Sequence, residues 1–185
     1  MKIATKIKTA LLVCAGIFFT TNVSAQSTTP DGYNQGFRLG FGISAGAPLN
    51  DPYKLGLGAD ARLQYDLSRK YSLTLTSGFS NLSVKGDNND LGFIPVKAGF
   101  KAFAITDDLY FMGEIGAGFA VTNSKIYDNK STIIIAPAIG YATKYIDISL
   151  RYEHYTDFPK LNSNGTSAGE GIGQIALRLA YGFKL

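Results

Sequence analysis

Cysteine is nearly absent from this 185-residue chain, because Cys14 is the only one. It lies within an apolar N-terminal segment that we expect to be removed from the mature protein. A chain without other thiols forms no disulfide, no zinc–thiolate site and no cysteine nucleophile. The acidic residues predicted to lie in loops (Asp87, Asp90, Asp157 and Glu170) match no known calcium loop. We therefore predict neither a metal site nor a cofactor.

Long apolar runs are also missing, apart from a short one near the N-terminus. Lys2, Lys6 and Lys8 precede the ten-residue segment 10–19, and Val23-Ser24-Ala25 follows it. Such a segment is too short to span a bilayer as a helix, and this order of basic, apolar and small residues is typical of a secretory signal. We predict a signal peptide over residues 1–25, cleaved near Ala25, and a flexible lead-in over residues 26–35. No other stretch approaches about 18 apolar residues, so no transmembrane helix is predicted.

A strong excess of either charge is missing once the predicted signal is removed. The whole chain has 18 Lys and Arg against 14 Asp and Glu, and residues 1–25 contain three of the lysines and no acid. The mature chain then carries a net charge of +1. The basic character of the whole chain is therefore no sign of nucleic-acid binding, and we predict no nucleic-acid partner.

What the sequence does contain is a long alternation with period two. From residue 36 to the C-terminal residue, large apolar side chains alternate with charged, polar or small ones in eight runs. These runs cover about residues 36–47, 54–67, 71–82, 93–104, 109–122, 132–142, 145–156 and 173–185. The apolar set is too large for the small polar side to enclose, so a barrel with its apolar face toward lipid fits best. We predict an all-β, eight-stranded antiparallel up-and-down transmembrane β-barrel over residues 36–185.

The connections between the runs alternate between tight and long. Those after the second, fourth and sixth runs have two to four residues, whereas 48–53, 83–90, 123–131 and 157–172 are longer and polar. Short periplasmic turns and long external loops are typical of outer-membrane barrels. We therefore predict an outer-membrane location with both termini in the periplasm.

Two finer features of the runs also carry predictions. Aromatic residues cluster near both ends of the runs, with Phe158 at the loop end, which predicts two interfacial bands on the outer wall. Pro95 and Pro137 each remove a ladder donor from a predicted strand. We expect Pro95 near the outer rim and a bulge at Pro137.

Charged side chains fall on the polar parity of the runs, which faces the lumen. The lumen of an eight-stranded barrel is only just wide enough for side chains, and an unpaired charge there is costly. We therefore predict a salt-bridged lumen network made of Arg38, Asp60, Arg62, Asp66, Lys97, Lys101, Glu114, Asp147, Arg151, Glu153 and Arg178. Lys184 shares this parity and gives a slight cationic excess. Because of that excess, a narrow ion or small-solute channel is retained as an alternative function.

One group of residues suggests chemistry on the outer wall. His154 is the only histidine and is outward by parity, with Thr156 on the same face and Glu170 across the last predicted loop. A histidine, a hydroxyl and a carboxylate facing lipid form the set that an acyl-ester hydrolase needs. The segment from Arg151 to Asp157 loosely resembles the His-x-Ser-Asn segment of outer-membrane lipid A deacylases. Thr156 stands at the position of that family's serine, and Asp157 stands at the position of its asparagine.

The whole pattern resembles a known family. The N-terminal signal, the eight runs and the closing Leu179-Ala180-Tyr181-Gly182-Phe183-Lys184-Leu185 are similar to small outer-membrane β-barrels of the OmpA-barrel and OmpX type. The resemblance implies contact with outer-membrane lipid and lipopolysaccharide, and recognition of the C-terminal strand by the outer-membrane assembly machinery. It also implies a monomer whose external loops contact a surface ligand. Our first hypothesis is a non-enzymatic barrel of this kind, with the hydrolase and the channel as alternatives.

Overall fold

The computed structural model describes residues 35–51, 53–84, 90–104, 107–122, 131–161 and 167–185. Its eight strands are β1 Gly36–Pro48, β2 Tyr53–Asp66, β3 Tyr71–Val84, β4 Leu91–Phe103, β5 Leu109–Ala120, β6 Ser131–Ala142, β7 Ile146–Leu161 and β8 Ser167–Lys184. Each strand pairs antiparallel with the next, and β1 pairs with β8, with Phe41 opposite Tyr181, so the sheet closes. The prediction of an all-β, eight-stranded antiparallel barrel is confirmed. No helix in the described ranges is long and apolar enough to cross a bilayer.

The N-terminal predictions lie almost wholly outside the described residues. Of the predicted signal and lead-in, only Gln35 is described. Its side-chain amide donates a hydrogen bond to the carbonyl oxygen of Leu67 (3.0 Å), and its side-chain oxygen accepts one from the Tyr65 hydroxyl (3.2 Å). The end of the lead-in is therefore tied to the β2–β3 turn, while residues 1–25 stay a prediction.

The strand ends agree with the sequence pattern except in the last hairpin. The first six strands begin and end within two residues of the predicted bounds. The predicted loop over residues 157–172 is wrong in extent, because β7 continues to Leu161 and β8 already begins at Ser167. Lys160 pairs with Gly169 in this extension. A glycine-rich polar segment has no apolar face, so backbone pairing gave no period-two signal there.

The β7–β8 ladder changes register at its loop end. Tyr155 pairs with Ile172 and Pro159 with Glu170, so four steps along β7 match two along β8. Gly171, between the two β8 partners, has a φ of 92°, which glycine adopts at little cost. The side chain of Phe158 is fully buried. Its prediction as part of an outer aromatic band is therefore wrong, because the irregularity breaks the simple parity of β7.

Two prolines interrupt ladders without shifting them. The β3–β4 pairing stops after Ser77 opposite Val96 and resumes at Ser80 opposite Phe93 in the same register, and Pro95 lies in the gap. The β6–β7 pairing shows the same kind of gap around Pro137. The predicted bulge at Pro137 is therefore wrong. A missing proline donor costs local pairing but leaves the strand's facing unchanged.

The outer wall of the barrel is a broad apolar surface. Exposed aliphatic and aromatic side chains occur on every strand, and Ile43 (65%) and Ile115 (61%) are among the most exposed. Water-soluble monomers rarely expose apolar patches above a few hundred Å². At 12–18 residues, each strand exceeds the roughly 9–11 residues that a tilted strand needs to cross a bilayer. The wall is therefore suited to lipid, and the polar chemistry of the molecule is confined to the lumen and the rims.

Candidate functional site: the lumen

The middle of the lumen holds a cluster of five charged side chains, which we call the central cluster. It consists of Arg62, Lys97, Glu114, Arg151 and Glu153, each at most 7% exposed. Glu114 lies 3.1 Å from Arg62 Nη2, 3.6 Å from Lys97 Nζ and 3.8 Å from Arg151 Nη1. Glu153 lies 2.7 Å from Lys97 Nζ and 3.3 Å from Arg151 Nη1. Four strands are thus joined through two carboxylates and the cations around them.

Neutral side chains extend this cluster by hydrogen bonds. Thr76 Oγ1 accepts a bond from Arg62 Nε (2.9 Å) and donates one to Glu114 Oε1 (2.9 Å). Glu153 Oε2 accepts bonds from the Tyr155 hydroxyl and from Gln174 Nε2, both at 2.6 Å. Charge-assisted bonds of this length are stronger than neutral ones, so each carboxylate is held in one orientation.

Three further ion pairs lie beside the central cluster. Lys101 Nζ is 2.7 Å from Asp147 Oδ2, and the Tyr110 hydroxyl donates to the other oxygen of that carboxylate (2.6 Å). The guanidinium of Arg178 contacts both oxygens of Asp60, with Nε 2.9 Å from Oδ2. At the mouth, Arg38 Nε is 3.0 Å from Asp66 Oδ2. The structure thus gives an ion-pair partner to each of the eleven charged residues that the sequence places in the lumen.

The lumen opens at the end of the barrel that carries the tight turns, which we call the turn end. A cavity of about 240 Å³ lies there, lined by Arg38, Arg62, Lys101, Asp147 and Arg178 among others. Its inner wall is therefore formed by the ion pairs. Lys184, which the sequence also assigns to the lumen, is exposed near the chain end.

The opposite end of the lumen, the loop end, is filled by apolar side chains. We call this group the loop-end plug, and it consists of Tyr53, Leu82, Leu91, Phe93, Ile134, Tyr155, Phe158 and Ile172. Each is at most 4% exposed. The Phe93 ring packs edge-on against Tyr155 and Phe158, with centroids 5.2 Å apart in both pairs. Passage through this end requires these side chains to move.

Sequence reasoning missed the loop-end plug. It assigned the lumen parity to charge and small residues, yet Leu82, Leu91 and Phe93 occupy that parity at the loop ends of β3 and β4. The available signal was the run Leu91-Gly92-Phe93-Ile94, in which apolar residues stand on both parities. In a barrel whose outer wall faces lipid, apolar residues on both parities predict an apolar lumen face at that level.

Glycines make room for the charged side chains. A Cβ on Gly42 would lie 2.7 Å from the Arg178 guanidinium, so a larger residue there would displace that group from its present position. A Cβ on Gly116 would collide with the carbonyl oxygen of Val96 on the neighbouring strand. By contrast, a Cβ on Gly113 of the same strand would meet nothing within 4 Å.

Two of the three candidate hydrolase residues, His154 and Thr156, lie on β7 and are not hydrogen-bonded to each other. His154 is half-buried on the outer side of β7, where its ring stacks near Tyr152 with centroids 6.3 Å apart. The Thr156 hydroxyl donates to Asp157 Oδ2 (2.5 Å), and the same oxygen accepts from the Ile133 amide (3.2 Å). Among the described side chains, none is hydrogen-bonded to the His154 ring. The side chain of Glu170 lies outside the described residues, so the hydrolase stays a prediction without geometric support.

Metal chemistry has no candidate site in the described part of the chain. Within it, no three His, Cys, Asp or Glu side chains come together in a way that would hold a metal ion. The loop acid Asp90 instead accepts hydrogen bonds from Asn81 Nδ2 (3.1 Å) and the Val84 amide (3.0 Å). That carboxylate is therefore bonded to the end of β3.

Comparison with known proteins identifies the fold through structure alone. By sequence, the chain matches no family model and no curated protein. By structure, it is similar to the N-terminal β-barrel domain of OprF from Pseudomonas aeruginosa, with a TM-score of 0.53 and 11% identity over 79% of this chain and 97% of that one. It is also similar to Neisserial surface protein A, with a TM-score of 0.51 and 11% identity over 83% of this chain and all of the other. The chain thus has the fold of small eight-stranded outer-membrane β-barrels.

Proposed function

We propose that the chain is an integral outer-membrane barrel without enzymatic activity, whose loop-end surface contacts molecules outside the cell. The observation that carries this proposal is the filled lumen. Apolar side chains occupy its loop end and paired charges occupy its middle. A lumen packed in this way favours a structural barrel over a channel. We therefore assign the binding of other molecules to the loops.

The same proposal includes an orientation in the membrane. The turn end, with both chain ends and the tight connections, faces the periplasm, and the loop end faces outward. The outer-membrane assembly machinery recognises the C-terminal strand β8. The protein is a monomer, and its outer wall contacts lipid and lipopolysaccharide. The apolar wall supports this arrangement, and so does the longest connection, residues 121–130 between β5 and β6, which lies at the loop end.

Cysteine labelling in intact cells tests the orientation. Asp51 is exposed at the loop end and Asp107 is exposed at the turn end. We expect a membrane-impermeant maleimide to label Asp51→Cys in intact cells and Asp107→Cys only after the outer membrane is permeabilised. Because Cys14 lies in the predicted signal, the mature chain offers no competing thiol. The reverse labelling pattern would refute the orientation.

A photo-crosslinker at the same two positions tests the interaction role. We expect adducts with a surface molecule from position 51 and none with that molecule from position 107. Equal adducts from both positions would count against a role for the loop end. Steady single-channel currents of the wild-type protein in planar bilayers would contradict the closed lumen and restore the channel.

Lipid A analysis separates the barrel from the hydrolase. In cells that express the wild-type chain or His154→Ala, we expect identical mass spectra of lipid A. The Thr156 hydroxyl bonds to Asp157, which leaves His154 without its nucleophile partner. A change in acyl-chain number that depends on His154 would establish the enzyme instead.

A further inference from the structure

The charges of the lumen do not cancel. Its described carboxylates, apart from the Asp66 that pairs with Arg38, are Asp60, Glu114, Asp147 and Glu153. Five cations face them, which are Arg62, Lys97, Lys101, Arg151 and Arg178. The described interior therefore holds one positive charge in excess. A buried charge is costly unless an opposite charge compensates it.

The excess belongs to the central cluster. Arg178 is matched by Asp60 and Lys101 by Asp147, each in a close pair. The three cations Arg62, Lys97 and Arg151 share only two carboxylates. All members of the cluster are at most 7% exposed, so water reaches them poorly. A negative charge that compensates the excess would therefore have to lie in the middle of the lumen.

Two arginines of the same cluster have hydrogen-bond donors without a partner in the described ranges. Arg62 Nη1, Arg151 Nε and Arg151 Nη2 are buried and have no partner among the described residues. Both guanidiniums contact the carboxylate of Glu114 through their other nitrogens. The Thr74 hydroxyl also lacks a partner within the described chain and borders that carboxylate, since a Cβ on Gly99 would lie 2.6 Å from Thr74 Oγ1 and 2.8 Å from Glu114 Cγ.

We infer that the central cluster binds one small monovalent inorganic anion, of the size of chloride, between the guanidiniums of Arg62 and Arg151. Water alone would fill the free donors but would leave the positive charge uncompensated. An anion does both, and guanidinium N–H groups bind anions well. Two acceptors of the described residues also have no hydrogen-bond partner, namely Gln174 Oε1 and Glu114 Oε2, which lies 3.6 Å from Lys97 Nζ. The cavity at the turn end, which Arg62 also lines, supplies the route of entry.

Halide-dependent stability of the full mature chain in detergent micelles tests this inference. We compare denaturant midpoints in sodium bromide and in sodium gluconate at equal ionic strength, because gluconate is too large for the cluster. When the free bromide concentration is ten times the dissociation constant, a bound anion raises the ratio of folded to unfolded protein about elevenfold. We expect the wild-type chain and Lys70→Gln to show this bromide effect and Arg151→Gln to lose it. Lys70 is an exposed turn residue, so Lys70→Gln removes the same charge away from the lumen.

A crystallographic measurement keeps the test decisive if Arg151→Gln fails to fold. Wild-type crystals grown in bromide should give an anomalous peak beside Arg62 and Arg151. Bromide peaks found only on the outer surface would overturn the inference. Equal midpoints in the two salts would also overturn it.

Discussion

The two ends of the lumen are built on opposite principles. At the loop end, eight apolar side chains exclude water by packing. From the middle to the turn end, the same narrow tube holds ion pairs and a cavity of about 240 Å³. Apolar packing tolerates changes of shape within limits, whereas a buried charge tolerates no loss of its partner. Mutations of similar size should therefore have different consequences at the two ends.

The largest effect is expected in the central cluster. Glu114→Gln keeps the shape of the side chain but leaves Arg62, Lys97 and Arg151 with one carboxylate. Removing one partner of a buried ion pair costs about 3–5 kcal/mol, and we expect a loss in that range. The measurement is denaturant unfolding in detergent. The control Asp107→Asn removes a charge from an exposed turn residue and should change stability by less than about 0.5 kcal/mol. A loss no larger than that of the control would mean that the ion pairs contribute little.

A smaller but substantial loss is expected in the loop-end plug. Phe158→Ala leaves a cavity beside Phe93 and Tyr155. We expect a destabilisation of about 3 kcal/mol, the lower end of the range for truncating a buried phenylalanine to alanine. Bilayer recordings should also show transient currents, because the plug no longer fills the lumen. Phe79→Ala makes the same chemical change on the outer wall, where Phe79 is 46% exposed. If Phe79→Ala costs as much as Phe158→Ala, the inward position of Phe158 is wrong.

The glycines of β5 compare a crowded position with an open one. Gly116→Ala forces a methyl group against the Val96 carbonyl and should cost about 2 kcal/mol through strain. Gly113→Ala, three residues earlier, meets open space on the outer wall and should change stability by less than about 0.5 kcal/mol. Thermal unfolding, followed by the gel shift between folded and boiled samples, measures both. Equal losses would indicate that β4 and β5 are spaced more widely at Gly116.

The smallest expected effect tests the link between the two regions. Tyr155 packs in the plug, and its hydroxyl donates to Glu153 in the central cluster. Tyr155→Phe keeps the ring. It removes this charge-assisted bond and the bond that Gln174 Nε2 donates to the Tyr155 hydroxyl (2.7 Å), which should cost about 1.5 kcal/mol. In the Tyr155→Phe background, the effects of Phe158→Ala and Glu114→Gln should become additive in a double-mutant cycle. A coupling that survives in this background would mean that the regions communicate by another route.

The sequence predicted the charged part of the lumen better than the loop-end plug. Alternation assigned Arg62, Glu114 and Arg178 to the lumen because a strand's side chains change face at every residue. Phe93 and Phe158 were not assigned to the lumen, because the lumen face was expected to hold only charged, polar and small residues, although Phe93 stands on that parity. At Phe158 the alternation was wrong for a second reason, namely the change of register before Pro159.

The candidate hydrolase residues show what the spacing of residues along a strand cannot predict. The sequence places His154 and Thr156 on one face of β7, two residues apart. It contains no information about hydroxyl orientation, and the structure turns the Thr156 hydroxyl toward Asp157, which also accepts the Ile133 amide. The hydroxyl of Thr156 is thus engaged by the carboxylate of the next residue, a local hydrogen bond that residue spacing does not reveal.

The sequence by itself determined the strand number, the facing of most residues and the confinement of charge to the lumen, because these follow from a local period of two. Only the tertiary structure decided which charges meet, such as Lys97 with Glu153 across 56 positions of the chain. It also decided that the loop end is plugged and that the last hairpin extends beyond the alternation. These features depend on the curvature and register of the closed sheet, which bring together side chains from strands that are distant in sequence.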